Sequence, residues 1–442
     1  MSTKLDEIAY RAQQHPTARF TALAHHLTAE FLEETWQQMN QQGAPGLSGE
    51  TMADYAAVRH ERIPALVATL KAGAYRVPPI RRVYIPKPGQ PTKQRPLGIP
   101  EVEDRLLQAA VSRLLTPIYE ADFLDSSYGF RPGRSPHDAL RAVEASVMGR
   151  PTRMIFEADI RGFFDHLQHE WLMTMLRERI GDPGILRLIE KWLHAPIVEP
   201  DGRRTRPTEG TPQGGPLSPL LGNVYLHYVL DLWFEKAVRP TLSGEAHLVR
   251  FADDFVVLFE NPRDAQQFAS LLPVRMAKFG LELAVDKTRC LPFGHRAWIA
   301  QEARGIPLSR FDFLGFTHFG ARMRNGRWQL QRRPSKKSRQ KFLHRAKRAL
   351  KARWHASRWQ QFQYLTAALR GFYQYFGYPG CLRALQAVRQ QVLYAWYQVL
   401  RRQSQRSRQS LRWYFQQRWF RVPNPTLRPR APSARYSGSP VR

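Results

Sequence analysis

Cysteine is nearly missing from this sequence: two residues, Cys290 and Cys381, in a chain of 442. Two thiols build neither a disulfide framework nor a four-ligand zinc module, and such usage suits a reducing compartment. Long hydrophobic runs are missing too. No stretch reaches the roughly 18 apolar residues of a membrane span, and the opening MSTKLDEIAYRAQQH has no apolar segment of signal-peptide length. A soluble, cytoplasmic protein is expected. The third absence is local. From Ala321 onward there are 29 Lys and Arg and no Asp or Glu, whereas the first 320 residues hold 38 basic and 37 acidic side chains.

That imbalance concentrates a formal net charge of +30 in one end of the chain. A solvated basic face is ordinarily laced with Glu at helical spacing, and this one is not. About 20 aromatic residues are interleaved with the bases, among them Trp354, Trp359, Tyr373, Trp396 and Trp413. Many of these are needed to fill a helical core. Arginine with aromatics also suits a polyanion whose bases can be stacked upon, which is nucleic acid rather than membrane. Binding to it should weaken steeply with salt.

What is present groups around AHLVRFADDFVVLFE, residues 246–260. Two Val-, Leu- and Phe-rich runs flank Ala-Asp-Asp, the pattern of a β-hairpin with Asp253 and Asp254 at its tip. Asp is an ordinary turn residue, yet two adjacent carboxylates repel each other unless a cation lies between them. Upstream, RMIFEAD reads as a strand ending at Asp159, and a carboxylate there is costly unless solvated or bound to a cation. Asp165 reads as a cap for the helix that follows, and His166 and His169 as surface residues, since a third metal ligand is lacking. Phosphoryl transfer onto a nucleic acid end uses two divalent ions on hard oxygen ligands, and one lone Asp plus an adjacent pair matches that need.

Elsewhere the chain opens with helices over LTAEFLEETWQQMN and TMADYAAVRHERIPALVATLKAG. IRRVYIPKPGQPTKQRPLGIP, residues 80–100, reads as a hairpin projecting Lys93 and Arg95, which composition alone would treat as an ordinary solvated hairpin. SSYGFRPGRSPHDAL places Arg131 and Arg134 in a loop before a helix opened by Ser135-Pro136, serving either phosphate or a plain loop-to-helix joint. Asp201-Gly202 marks another hairpin turn. TPQGGP makes a backbone-exposing loop ahead of a buried helix, NVYLHYVLDLWF. GLELAVDKTRCLPF is expected to be a strand pair carrying Lys287, and FDFLGFTHF a single strand.

Taken in order, FEADIRGFFDHL, GTPQGGPLSPLLGNVYL, LVRFADDFVVLF, GLELAVDKTR and FDFLGF resemble reverse transcriptases of the group II intron maturase type. The likeness extends upstream through RVYIPKPGQPTKQRPLGIP and SYGFRPGRSPHDAL, and downstream to LRGFYQYFGY and VLRRQSQRSRQSLRWYF. It implies an α+β fold, a right-hand polymerase with fingers, an antiparallel-sheet palm and a basic helical thumb. The expected partition is an N-terminal helical extension at 1–78, fingers at 79–152, palm at 153–330, thumb or maturase region at 331–422 and a basic flexible tail at 423–442. By the same resemblance Asp159, Asp253 and Asp254 are the catalytic, metal-binding carboxylates, with the backbone of Ile160 sharing a metal. Two Mg²⁺ are the implied cofactors, with Mn²⁺ as a substitute. Lys93 and Arg95 would contact the incoming triphosphate, and Gln213 would lie near the nucleotide or templating pair. Lys287 would approach the primer end or phosphates, and Phe164 (or its neighbour Phe163) would crowd the sugar 2′ position and favour deoxynucleotides. Arg131 and Arg134 are expected to contact nucleic acid.

The implied function is RNA-directed DNA synthesis, with an RNA template, a DNA or RNA primer, deoxynucleoside triphosphates and structured intron RNA as partners, and no membrane. Phe251 stands where the family more often has Tyr; this removes one hydroxyl, keeps both carboxylates, and activity is expected to survive. The lead-in GAPGLSGET departs from the family's Gly-Val-Asp-Gly pattern, and paired CxxC motifs of a DNA endonuclease are lacking. A domesticated or defence-associated reverse transcriptase, and a non-catalytic RNA-binding splicing factor, are the competing readings. Oligomeric state is not legible.

Overall fold

The structure, a computed structural model, describes residues 3–87, 90–403, 409–417 and 420–428, with the side chains of residues 3, 87 and 90–93 outside that description. The chain divides into two compact units, 1–292 and 293–442.

The first unit opens with helices α1 (Thr3–Gln14), α2 (Ala29–Gln38) and α3 (Met52–Lys71), then the hairpin β1 (Ile80–Lys87) and β2 (Gln90–Ile99). Next come α4 (Val102–Asp122), α5 (Pro136–Gly149), β3 (Met154–Asp159), α6 (His169–Arg179) and α7 (Pro183–Leu193). The short strands β4 (Ile197–Val198) and β5 (Arg204–Thr205) form the hairpin announced by Asp201-Gly202, and α8 (Ser218–Leu226) follows. The unit closes with β6 (Ala246–Phe251), β7 (Asp254–Phe259), α9 (Pro262–Lys278) and β8 (Arg289–Pro292).

Local chemistry explains the boundaries. Thr51 with Asp54, and Ser135 with Asp138, form reciprocal capping boxes that start α3 and α5. Asp182 caps α7 and also accepts the backbone N–H groups of Leu23 (2.6 Å) and Ala24 (2.8 Å), so one carboxylate fastens the N-terminal helices to the rest. α4 buries Leu106, Leu107, Ala110, Val111, Leu114, Leu115 and Ile118, a near-continuous apolar surface that makes it the central helix of the unit. One core cluster runs from Ile8 to Leu283, so the helical lead-in shares its core with the sheet.

The central sheet is antiparallel, with strand order β6-β7-β3-β8. α9 covers one face through Phe268, whose ring meets Phe156 edge-on at 5.2 Å and approaches Phe259 at 5.5 Å. NVYLHYVLDLWF, expected as a largely buried helix, begins in α8 and then opens into a π turn at His227–Asp231, with a second at Phe234–Val238. GLELAVDKTRCLPF corrects the expected strand pair. It makes an isolated bridge at Leu283, a 3₁₀ turn at Val285–Lys287 and only then β8.

The second unit contains α10 (His295–Ala303), the antiparallel strands β9 (Arg310–Phe313), β10 (Phe316–Arg322) and β11 (Trp328–Pro334), and helices α11 (Lys336–Ala352), α12 (Arg358–Phe376), α13 (Leu382–Gln403) and α14 (Leu411–Gln416). FDFLGFTHF is therefore two strands rather than one. Leu314 and Gly315, at φ of 48° and 78°, turn the chain between them. Residues 423–428, expected to belong to a loose tail, are held down: Arg389 donates to the carbonyls of Val422 and Pro423, and the Arg428 amide donates to Gly377. Residues 429–442 lie outside the described residues. Among the described residues no helix is long and apolar enough to cross a membrane.

Candidate active site

β3 carries four buried residues, Ile155 to Ala158, and ends at the half-buried Asp159. Its ladder with β7 pairs Asp159 with Asp254, and the β6–β7 ladder pairs Phe251 with the same Asp254. The hairpin expected from the sequence is present, but its turn is the two residues Ala252-Asp253, and Asp254, expected at the tip, is the first residue of β7. Directly opposed residues on neighbouring strands share a face with Cβ atoms about 5 Å apart. The register thus gathers Asp159, Asp253 and Asp254 at one end of the two central strands.

The electrostatics follow. Burial, and then the negative charge of Asp159, push the Asp253 carboxyl above the usual carboxylate range, while the cations Arg95 and Lys287 pull it back. Lys287 leaves the 3₁₀ turn with its ammonium on Asp159 Oδ2. Burial pulls that ammonium down, but the bond to Asp159 and the nearby Asp286 and Asp253 outweigh burial and hold it above its ordinary range. Ile160 continues past the strand, bridged to Leu283, and the Asp159 carbonyl accepts the Ala284 amide at 2.8 Å. These bonds fix Lys287 relative to the strand end.

Among the described residues no three His, Cys, Asp or Glu side chains are arranged as a ready metal cage. The donor set nevertheless suits a hard divalent cation. All three acids supply oxygen, and two of them stand directly opposed, which is unfavourable without positive charge between them. Lys287 supplies part of that charge.

The flanking loops are built by close approach. In TPQGGP, Gly214 has φ of 152°, and a Cβ there would fall 2.4 Å from the Gly98 carbonyl at the end of β2, so only glycine fits. Gln213 donates to Asp165 Oδ1 at 2.9 Å, giving both residues a fixed partner. Gly222 of α8 leaves room for two rings: a Cβ would come 2.9 Å from Phe164 and 3.0 Å from Phe163. Phe163 is 2% exposed and belongs to the core, whereas Phe164 is only half-buried. His166 meets Glu209 and His169 meets the Gly210 carbonyl, so both histidines brace this loop.

Arg131 is buried. Its guanidinium pairs with Glu120 at 3.0 Å and donates to the carbonyls of Leu124 and Ser127, so its donors are spent inside the protein rather than offered to phosphate. Arg134 pairs with the exposed Asp125 at 2.6 Å and lies over Tyr128. Arg95 is exposed on β2, and the side chain of Lys93 lies outside the described residues.

Sequence reasoning missed what stands behind the hairpin tip. Arg250, read there as one letter of an apolar run, is fully buried against the equally buried Asp231. Its Nη1 donates to the Ala252 carbonyl and to Asn223 Oδ1, each at 3.1 Å. The available signal was a charge in the middle of a buried strand, which demands a partner.

A family model described as reverse transcriptase (RNA-dependent DNA polymerase) matches residues 85–318. Group II intron-encoded protein LtrA of Lactococcus lactis subsp. cremoris is 38% identical over 234 residues, 52% of this chain and 38% of LtrA. Protein YkfC of Escherichia coli (strain K12) is 34% identical over 318 residues, 64% of this chain and 82% of YkfC. A 91 kDa protein in the cob intron of Schizosaccharomyces pombe is 37% identical over 173 residues, 39% of this chain and 21% of that protein. This chain therefore spans well under half the length of LtrA. It belongs to the reverse transcriptase family and is homologous to group II intron-encoded proteins.

Proposed function

We propose that this protein is an RNA-directed DNA polymerase of the group II intron type that adds deoxynucleotides to a 3′ hydroxyl on an RNA template. The observation that carries this reading is the register that opposes Asp159 to Asp254 with Asp253 in the adjoining turn. The three carboxylates, with the Ile160 backbone beside them, would hold two Mg²⁺. When bound, such ions acidify the attacking hydroxyl and neutralise charge on the leaving pyrophosphate. Arg95 and Lys287, the cations felt at Asp253, would orient the triphosphate. The exposed part of Phe164 would narrow the space at the sugar 2′ position. The β1–β2 hairpin would serve as fingers, the central sheet as palm, and the acid-free helices from Lys336 onward as a thumb for the template–primer duplex.

LtrA is described as a group II intron-encoded protein, and for this chain we propose binding of structured intron RNA through the same basic helices. The test is extension of a primer on an RNA template by purified protein, with Mg²⁺ and either deoxynucleoside or ribonucleoside triphosphates. Extension with deoxynucleotides supports the proposal. Tight RNA binding without extension would overturn it and leave a non-catalytic RNA-binding factor.

A further inference from the structure

The turn that carries Asp253 is strained. Ala252 has φ of 57°, a left-handed conformation that is unfavourable for a residue with a Cβ and persists only where surroundings enforce it. Three contacts enforce it. Arg250 Nη1 donates to the Ala252 carbonyl at 3.1 Å. Asn223 ties the same guanidinium to the neighbouring loop, accepting from Nη1 at 3.1 Å and donating to the Gly129 carbonyl at 2.7 Å. Gly129 in turn lies so close that a Cβ there would be 2.4 Å from the Ala252 nitrogen.

The guanidinium is itself anchored. Asp231 takes Nε at 2.7 Å and also Nη2, and neither side chain has any solvent exposure. Asp231 comes from the π turn His227–Asp231, and single π turns within helices are frequent at functional sites. The Arg250 backbone is pinned as well, its amide on the Ser126 carbonyl (2.8 Å) and its carbonyl on the Tyr128 amide (2.9 Å). A buried ion pair this complete is a weak source of net stability, because desolvation offsets the attraction. Its position two residues before Ala252, where the strained turn begins, gives it another use.

We infer that Arg250, held by Asp231 and Asn223, is a positioning residue that clamps the Ala252-Asp253 turn and thereby sets the carboxylate of Asp253 for its cation. The inference rests on the polymerase reading for what the cation does, but the clamp can be tested without turnover. Arg250→Lys keeps the charge and loses the fork, while Asn223→Ala keeps the ion pair and removes one support. Arg179→Lys is the control. Arg179 is also buried, 2.8 Å from Asp122 and bonded to the Pro16 and Ala18 carbonyls, with none of these partners in the hairpin.

Three quantities are read on the full chain: melting temperature, Mn²⁺ affinity by electron paramagnetic resonance without nucleotide or RNA, and hydrogen exchange of the peptide covering 250–256. The expected result is a Mn²⁺ affinity lower by about 10- to 100-fold in Arg250→Lys, the range for residues supporting metal ligands. Asn223→Ala loses less, and both variants exchange faster at the turn. Arg179→Lys melts lower with affinity and turn exchange unchanged. Wild-type affinity and turn exchange in folded Arg250→Lys, or equal losses in Arg179→Lys, would overturn the inference. Should Arg250→Lys not fold, Asn223→Ala decides by the same criteria. A wild type that extends no primer strikes the polymerase reading alone; faster exchange confined to the two clamp variants still supports the clamp, and unchanged exchange overturns it.

Discussion

Asp159 faces Asp254 directly across the ladder of the two central strands, and the ammonium of Lys287 lies on Asp159. Protein folding alone gives no reason to keep acids so close, since burial and Asp159 together raise the cost of ionising Asp253. Asp253→Asn removes that cost. In metal-free buffer near neutral pH the variant is expected to melt no lower than the wild type, and added Mg²⁺ is expected to raise the melting temperature of the wild type only. Thermal denaturation with and without chelator checks this; a drop of several degrees in the metal-free variant would contradict it.

Phe268 tests the packing beneath the site. Its ring is fully buried among Phe156, Trp233, Phe234 and Phe259. Phe268→Ala is expected to cost about 3–5 kcal/mol, the range for emptying an aromatic core position. Denaturant titration measures it, and a loss under about 1 kcal/mol would show that the sheet does not depend on this contact.

Asp104 tests the buried polar core. Burial raises its carboxyl to about 7, against hydrogen bonds from Trp192 and Gln108 that favour the ion. The folded group keeps its proton between about pH 4 and 7 while the unfolded group loses it, so its contribution to stability falls as pH rises through that window and is level above it. His227, lowered to about 4 by burial, acts the other way over an overlapping range, and stability there falls as pH drops. The informative quantity is the difference between Asp104→Asn and wild type. The advantage of the variant should grow from pH 4 to 7 in urea titrations, and a difference independent of pH would refute the assignment.

Phe163 and Phe164 separate a structural role from a selective one. Phe164→Val is expected to increase ribonucleotide use relative to deoxynucleotides by roughly 10-fold or more, as removal of a steric clash worth about 1–3 kcal/mol would give. Phe163→Val should lower stability with little change in that ratio. Competition of the two nucleotide types in primer extension checks both, and an unchanged ratio in Phe164→Val would remove it from the site.

The hairpin at 246–260 was legible because two β-rich apolar runs flank a short polar turn, and one face of each strand had to be buried. Asp159 was legible for the same reason, as the polar end of a buried strand. Arg250 was not, because its partners Asp231 and Asn223 are 19 and 27 residues away and meet it only through the π turn and the fold. The segment carrying Lys287 was expected as a strand pair and is not one. Val285–Lys287 tightens into a 3₁₀ turn after the bridge between Ile160 and Leu283, and local propensity cannot anticipate that long-range pairing. FDFLGFTHF hid its reversal at Leu314, a residue that ordinarily avoids positive φ. Arg131 carried the composition of a phosphate-binding loop, and only the fold shows Glu120 and two carbonyls taking its donors.

The most direct test is single-turnover extension of a DNA primer on an RNA template, comparing wild type with Asp253→Asn at saturating Mg²⁺ and matched RNA occupancy. The account predicts deoxynucleotide addition by the wild type and a rate at least about 1,000-fold lower in the variant, equivalent to about 4 kcal/mol of barrier, with RNA affinity unchanged. Extension by Asp253→Asn within about 10-fold of the wild type would contradict the role given to Asp253 among the three gathered carboxylates.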